Sequence, residues 1–214
     1  MTDKFTVYLV DDDLGVLKGL SRLLRARGYE VKAYSSPQVF LDEHDMAVPG
    51  CAVLDVSMPG LDGLEIQRVL TAVSGYHRPV VFVTGKGDVP TSVRAMKAGA
   101  IDFLTKPVKD KDLFEAVSRA EARDAESRRL HSEMESMQAR VSNLTPRERE
   151  VFTHVVAGRL NKQIAGDLGT VEKTIKVHRS RMMHKIGVRT VADLVRIAER
   201  AGIAPSHQPN RSDG

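Results

Sequence analysis

The sequence predicts a doubly wound α/β domain on a five-stranded parallel sheet, then an all-α domain of four helices, joined by a helical linker. Three observations lead there. Over the first half, short apolar runs alternate five times with segments of helical period, the pattern of a parallel sheet flanked by helices. The third and fourth runs, CAVLDV at 51–56 and PVVFVT at 79–84, are almost wholly apolar, as strands covered on both faces should be. From Leu144 onward the periodicity is helical only.

Each element has its own signal. FTVYLV at 5–10 is a first strand ending in acids. Leu14, Val16, Leu17, Leu20, Leu23 and Leu24 recur at helical spacing up to a stop at Gly28. VKAY at 31–34 is a short strand, and Ser36-Pro37 opens a helix through Val39, Phe40 and Leu41 with Ser at N-cap and Pro at N1. After strand 51–56, a helix runs from Leu64 to Val73; after strand 79–84, another runs from Val89 to Ala98 and stops at Gly99. IDFLT at 101–105 is the fifth strand, and a helix follows from Asp110.

The segment 121–143 is polar and lacks Gly and Pro; Leu130, Met134, Met137, Val141 and Leu144 step along it by 4, 3, 4 and 3. It reads as a helical linker that either contributes to a dimer or lies on its own α/β domain. Thr145-Pro-Arg-Glu148 combines a capping box with Pro at N1 and starts a helix that stops at Gly158. Asn161 caps a short helix over 162–168, Gly169-Thr170 turns, a third helix spans 172–186 to Gly187, and Thr190 caps a fourth. The expected boundaries are 1–122, 123–143, 144–203 and a disordered tail at 204–214.

Composition excludes several classes. The chain is 42% hydrophobic and 28% charged, ordinary for a soluble globular protein. It has no apolar run near the ~18–20 residues of a membrane span. Its start, MTDKFTVYLVDDD, lacks the pattern of a secretory signal, so a cytoplasmic location and no membrane partner are expected. One cysteine, Cys51, allows no intrachain disulfide and fits a reducing compartment, and no Cys/His cluster has zinc spacing. Residues 1–124 hold 16 Lys+Arg against 18 Asp+Glu, whereas 125–214 hold 16 against 10. The basic excess points the second half toward a polyanion.

An open parallel sheet carries its site outside the carboxyl ends of its strands. Asp11 and Asp12 follow strand one, Asp55 closes strand three, Thr84 follows strand four and Lys106 follows strand five. Like-charged carboxylates need a cation, and hard oxygens favour Mg²⁺, which also ligates phosphate. Asp55 is a potential nucleophile, because carboxylates form aspartyl phosphates. Lys106 supplies charge, Thr84 a hydroxyl, and Gly85 an open approach. An acidic pair after a strand also serves as a helix cap, a role that suits Asp13. In the second half, two helices joined near Gly169 suggest a helix-turn-helix, packed by Ile164, Ala165, Leu168, Val171, Ile175 and Val177. The second of the pair carries Lys173, Lys176, His178, Arg179, Arg181 and Lys185, cations suited to phosphates and base edges.

VDDD at 10–13, LDVSMPGLDG at 54–63, VTGKGD at 83–88 and MKAGAIDFLTKP at 96–107 resemble the receiver domain of two-component response regulators, which has a flavodoxin-like fold, over residues 5–122. LTPREREV, NKQIAGDLG and TIKVHRSRMMHKIGV resemble the LuxR-type four-helix output domain over 144–198. Together the chain resembles NarL/FixJ-type regulators, FixJ and StyR kinds above all. The resemblance implies Asp55 as phosphoacceptor. It implies Mg²⁺ (or Mn²⁺) held by Asp11, Asp12 and Asp55 with the Ser57 backbone carbonyl, and Thr84 and Phe103 as a switch pair reshaping the helix 4–strand 5 face. It also implies Lys106 on the phosphoryl group and a cis Lys106–Pro107 bond. Ser57 and Lys86 stand at positions that tune phosphate lifetime in that family. Lys176, Val177 and Ser180 are implied to face bases, and Lys173, Thr174, His178, Arg179 and Arg181 to face phosphates. The implied partners are a sensor histidine kinase, promoter DNA, RNA polymerase and, on phosphorylation, a second copy of the chain. The expectation is a transcription factor and not an enzyme. Two alternatives stand beside it: a DNA-binding dimer indifferent to phosphorylation, and a Mg²⁺-dependent phosphatase, against which Ser57 replaces the second acid such enzymes use.

Overall fold

The computed structural model describes residues 4–72, 76–85 and 88–200. The chain divides into two units, residues 1–131 and 132–214.

In the first unit, strands β1 (Thr6–Val10), β2 (Glu30–Tyr34), β3 (Gly50–Leu54), β4 (Val80–Thr84) and β5 (Asp102–Thr105) form one parallel sheet in the order β2-β1-β3-β4-β5. Every residue of β1, β3 and β4 is buried, as the apolar runs require, whereas β2 and β5 are half-exposed edges. The period of two sorts each strand between two cores. Tyr8, Val10, Leu54 and Phe82 pack with Phe40 of α2 (Pro37–Glu43), Ile66 and Leu70 of α3 (Gly63–Ala72) and Ala95 of α4 (Val89–Lys97). Val7, Leu9, Val53 and Val81 pack with Leu17 and Leu24 of α1 (Leu14–Ala26) and Leu113 and Val117 of α5 (Asp110–Ser142). The strand order reverses between β1 and β3, which opens a crevice at their carboxyl ends.

The helix starts follow their caps. Asp13 Oδ1 accepts from the Gly15 and Val16 amides at 2.7 and 3.2 Å, so the third acid after β1 is a cap, as its position suggested. Ser36 caps α2, and Asp88 caps α4 by accepting from the Thr91 amide at 2.7 Å. β5 begins at Asp102, one residue later than expected, and α3 is described to Ala72; Val73, Lys86 and the segment 204–214 lie outside the described residues.

Helix α5 is 33 residues long and takes in most of the segment read as a linker. In the first unit, Asp124 accepts from the Tyr76 hydroxyl and pairs with Arg128 at 3.0 Å, and Arg128 donates to the carbonyls of Met46, Ala47 and Val48. The apolar stripe divides: Leu130 and Met134 are exposed, while Val141 and Leu144 are buried in the core of the second unit.

That unit holds α6 (Pro146–Val156), α7 (Asn161–Asp167), α8 (Glu172–Ile186) and α9 (Val191–Arg200) around Val151, Phe152, Ile164, Ile175, Met182, Ile186 and Leu194. The capping box at Thr145 and Glu148 is formed, and Thr190 caps α9. Two expectations are corrected. Asn161 is the first helical residue and not the cap; the Gln163 side chain closes that end by accepting from the Leu160 amide at 2.9 Å. Val171 and Val177 do not pack the helix pair: they are 65% and 43% exposed, while Ile164, Ala165 and Ile175 are buried. Among the described residues, no helix is long and apolar enough to cross a membrane.

Candidate functional site

Three strand ends build the first site. Main-chain bonds carry the ladder past each strand: Asp11 N–H donates to Tyr34 O, Asp55 N–H to Val10 O and Lys106 N–H to Thr84 O. These fix the backbone of Asp11, Asp55 and Lys106, and their side chains meet. Lys106 Nζ lies 2.6 Å from Asp11 Oδ2 and 2.9 Å from Asp55 Oδ1. The other Asp55 oxygen accepts from the Ser57 amide at 2.6 Å, and Asp11 Oδ1 accepts from the Asp13 amide at 3.0 Å. Both acids are buried, and the Lys106–Pro107 bond is cis.

Burial pushes the Asp11 carboxyl above its ordinary value, against the lowering pull of Lys106. Burial also works against the Lys106 ammonium, but its contacts with Asp11 and Asp55 outweigh that and hold it above the usual lysine value. Lys106 is therefore a firm cation between two acids.

The remaining expected residues are placed less tightly. Asp12 is exposed on the same loop as Asp11, and among the described residues no three His, Cys, Asp or Glu side chains form a ready metal cage. Thr84 is fully buried at the end of β4. Phe103 is half-buried on β5, its ring centroid 5.9 Å from that of Phe82. Sequence reasoning missed Gly63. Its amide donates to Val56 O at 3.0 Å, and a Cβ there would stand 2.3 Å from the carbonyl oxygen of Asp55. The absent side chain lets α3 seat against the loop that carries Asp55. The GLDG string held the signal, yet only the close approach gives it meaning.

The second site is the surface of α8. Lys173, Lys176, Val177, Ser180 and Arg181 are exposed, and Thr174, His178 and Arg179 are half-exposed. Two cations have internal partners. Arg179 Nη1 donates to Asn161 Oδ1 at 2.9 Å, joining α8 to α7. Lys185 Nζ lies 2.7 Å from Glu148 Oε2, which ties α8 to the start of α6 and holds the Glu148 carboxyl below its usual value. Lys185 is thus a structural cation, paired with a buried acid. Lys176 pairs with Glu172 at 3.1 Å on the open surface.

Comparison with known proteins gives the family of each region of the chain. Residues 7–118 match the family model described as response regulator receiver domain, and residues 142–198 match that of bacterial regulatory proteins, luxR family. Among curated relatives, Nodulation protein W of Bradyrhizobium diazoefficiens is 41% identical over 95% of this chain and 89% of its own length. Transcriptional regulatory protein FixJ of Azorhizobium caulinodans is 40% identical over 96% and 97%. Among solved structures, the response regulator StyR is similar with 44% identity and a TM-score of 0.78, covering 92% of this chain and 99% of that one.

Proposed function

Because the chain belongs to the response regulators that join a receiver domain to a LuxR-family DNA-binding domain, we propose that it is a transcription factor switched by phosphorylation of Asp55. A sensor histidine kinase donates the phosphoryl group from a phosphohistidine. An Asp55 oxygen attacks phosphorus, a P–O bond forms as the P–N bond breaks, and the bonding pair returns to the imidazole. The observation that carries this reading is the double hold on Asp55, by Lys106 on one oxygen and the Ser57 amide on the other. Lys106, already charged, answers the oxygens of the incoming group.

The donor set suits a hard cation. Two buried carboxylates answered by one ammonium leave a negative charge beside exposed Asp12. Asp11, Asp12, Asp55 and the main-chain carbonyl of Ser57 would hold Mg²⁺ or Mn²⁺, which when bound neutralises charge on the transferring group.

Thr84 then gives its hydroxyl to the phosphoryl oxygens and Phe103 turns inward, which reshapes the α4–β5 face and pairs two copies of the chain. Pairing places two α8 helices on two half-sites. Lys176, Val177 and Ser180 face bases, while Lys173, Thr174, His178, Arg179 and Arg181 face phosphates; their exposure on one helix supports this assignment. The test is labelling with acetyl phosphate and Mg²⁺, read by intact mass. One hydroxylamine-labile phosphate is expected on the native chain and none on Asp55→Asn; a labelled Asp55→Asn variant overturns the assignment.

A further inference from the structure

Within the second unit, α5 and α8 each supply a cation to the other's C-terminal end. Arg140, in the last turn of α5, donates from Nη1 to the carbonyl of Ile186, the final residue of α8, at 3.2 Å. Lys185, in the last turn of α8, donates from Nζ to the carbonyl of Asn143, the residue after α5, at 3.4 Å. The last carbonyls of a helix lack partners within it and carry its negative dipole end, so a cation there is held by hydrogen bonding and by charge together. The chain turns to leave room for this. Gly187, at φ +80°, and Val188 fold their amides back onto the carbonyls of Met183 and His184, which leaves that of Ile186 for Arg140. A Cβ at Gly187 would stand 3.2 Å from Arg140 Nη1.

Packing joins the same two helix ends. Val141 and Leu144 are buried in one core with Met182 and Ile186 of α8, and Met137 packs against that core. Nearer its start, α5 buries Leu113 and Val117 in the core that holds Val53 and Val81, and Val53 lies two residues before Asp55. One helix therefore belongs both to the core beneath the Asp55 site and to the core that carries α8. Arg140 is exposed, so its side chain fills no cavity; its contact with α8 is the bond to the helix end.

We propose, resting on the roles argued above for Asp55 and α8, that Arg140 is a positioning residue: through it the tail of α5 sets the orientation of α8, and phosphorylation of Asp55 reaches the DNA-facing helix by way of this contact. Arg140 acts through the Ile186 carbonyl and not by touching a phosphate of the DNA.

The test is the affinity of the full chain for a duplex selected with the native protein, measured by anisotropy with Asp55 unmodified and with Asp55 phosphorylated by acetyl phosphate. The readout is the ratio of the two affinities. Arg140→Ala should cut that ratio about fivefold, the lower end of ordinary coupling between sites, while labelling of Asp55 and phosphorylation-dependent self-association stay as in the native chain. Arg140→Lys, which keeps a donor and a charge, should restore most of it. Alanine at an exposed helical position favours folding, and a loss of stability alone would lower both affinities together and leave the ratio unchanged. A ratio in Arg140→Ala equal to the native one, or lost together with self-association, would overturn the proposal. So would a salt slope reduced by about 1, which would make Arg140 a phosphate contact. A native ratio of one would instead overturn the function on which the proposal rests.

Discussion

The Lys106 ammonium stands 2.9 Å from Oδ1 of Asp55, brought there from the opposite half of the sheet by the loop after β5. In this position it both balances buried acid charge and aims Asp55. Lys106→Ala should slow labelling of Asp55 by acetyl phosphate about 100-fold, the usual cost of losing one preorganised charge-stabilising group. Time-resolved intact mass measures it, and an unchanged rate would remove Lys106 from the chemistry.

Gly63 predicts a steric effect. A methyl group there meets the Asp55 carbonyl oxygen at 2.3 Å, so Gly63→Ala must displace either α3 or the Asp55 loop. Overpacking of this kind costs about 1–3 kcal/mol, and labelling should slow in parallel. The control is Gly19→Ala in α1, where the added carbon meets nothing within 4 Å and helix propensity favours it. Thermal melts of both variants compare them; equal effects would contradict the packing argument.

Glu148 predicts a pH dependence. Its hydrogen bond with Lys185 lowers the folded carboxyl below 4.5, so the pair adds stability above that value and loses it as pH falls through the folded pKa. Glu148→Gln should cost about 1 kcal/mol at neutral pH, modest because Lys185 is 38% exposed. The difference should vanish at acid pH. Melting curves of the two proteins across that range check the sign.

The helix proposed to face DNA predicts three distinct signatures. Lys176→Ala removes an exposed cation proposed to meet a base, so affinity should fall most for the preferred sequence. Arg181→Ala removes a cation assigned to phosphate and should reduce the salt slope of binding by about 1, evenly across sequences. Asn161→Ala frees Arg179 from its bond at 2.9 Å, and affinity should drop several-fold although Asn161 carries no charge. Fluorescence anisotropy at several salt concentrations separates the three.

The sequence made legible whatever depends on periodicity and on strand ends. The five strands, the two-sided burial and the meeting of Asp11, Asp55 and Lys106 all follow from apolar runs with polar residues at their carboxyl ends. Caps at Asp13, Ser36, Thr145 and Thr190 were legible because they are local. Features that depend on tertiary approach were not. Val171 and Val177 have core-like character yet face solvent, because α8 turns Ile175 inward. Asn161 has the chemistry of a cap but serves Arg179. Lys185 looks like its basic neighbours until Glu148 arrives from α6. Arg78 gave no sign in the sequence of being a buried cation.

The most direct test is the affinity of the full chain for a selected DNA site, measured at one fixed salt concentration with Asp55 unmodified and with Asp55 phosphorylated. The account predicts tighter binding of the phosphorylated protein together with increased self-association, both absent in Asp55→Asn. Equal affinity and equal oligomeric state in the two forms would contradict it.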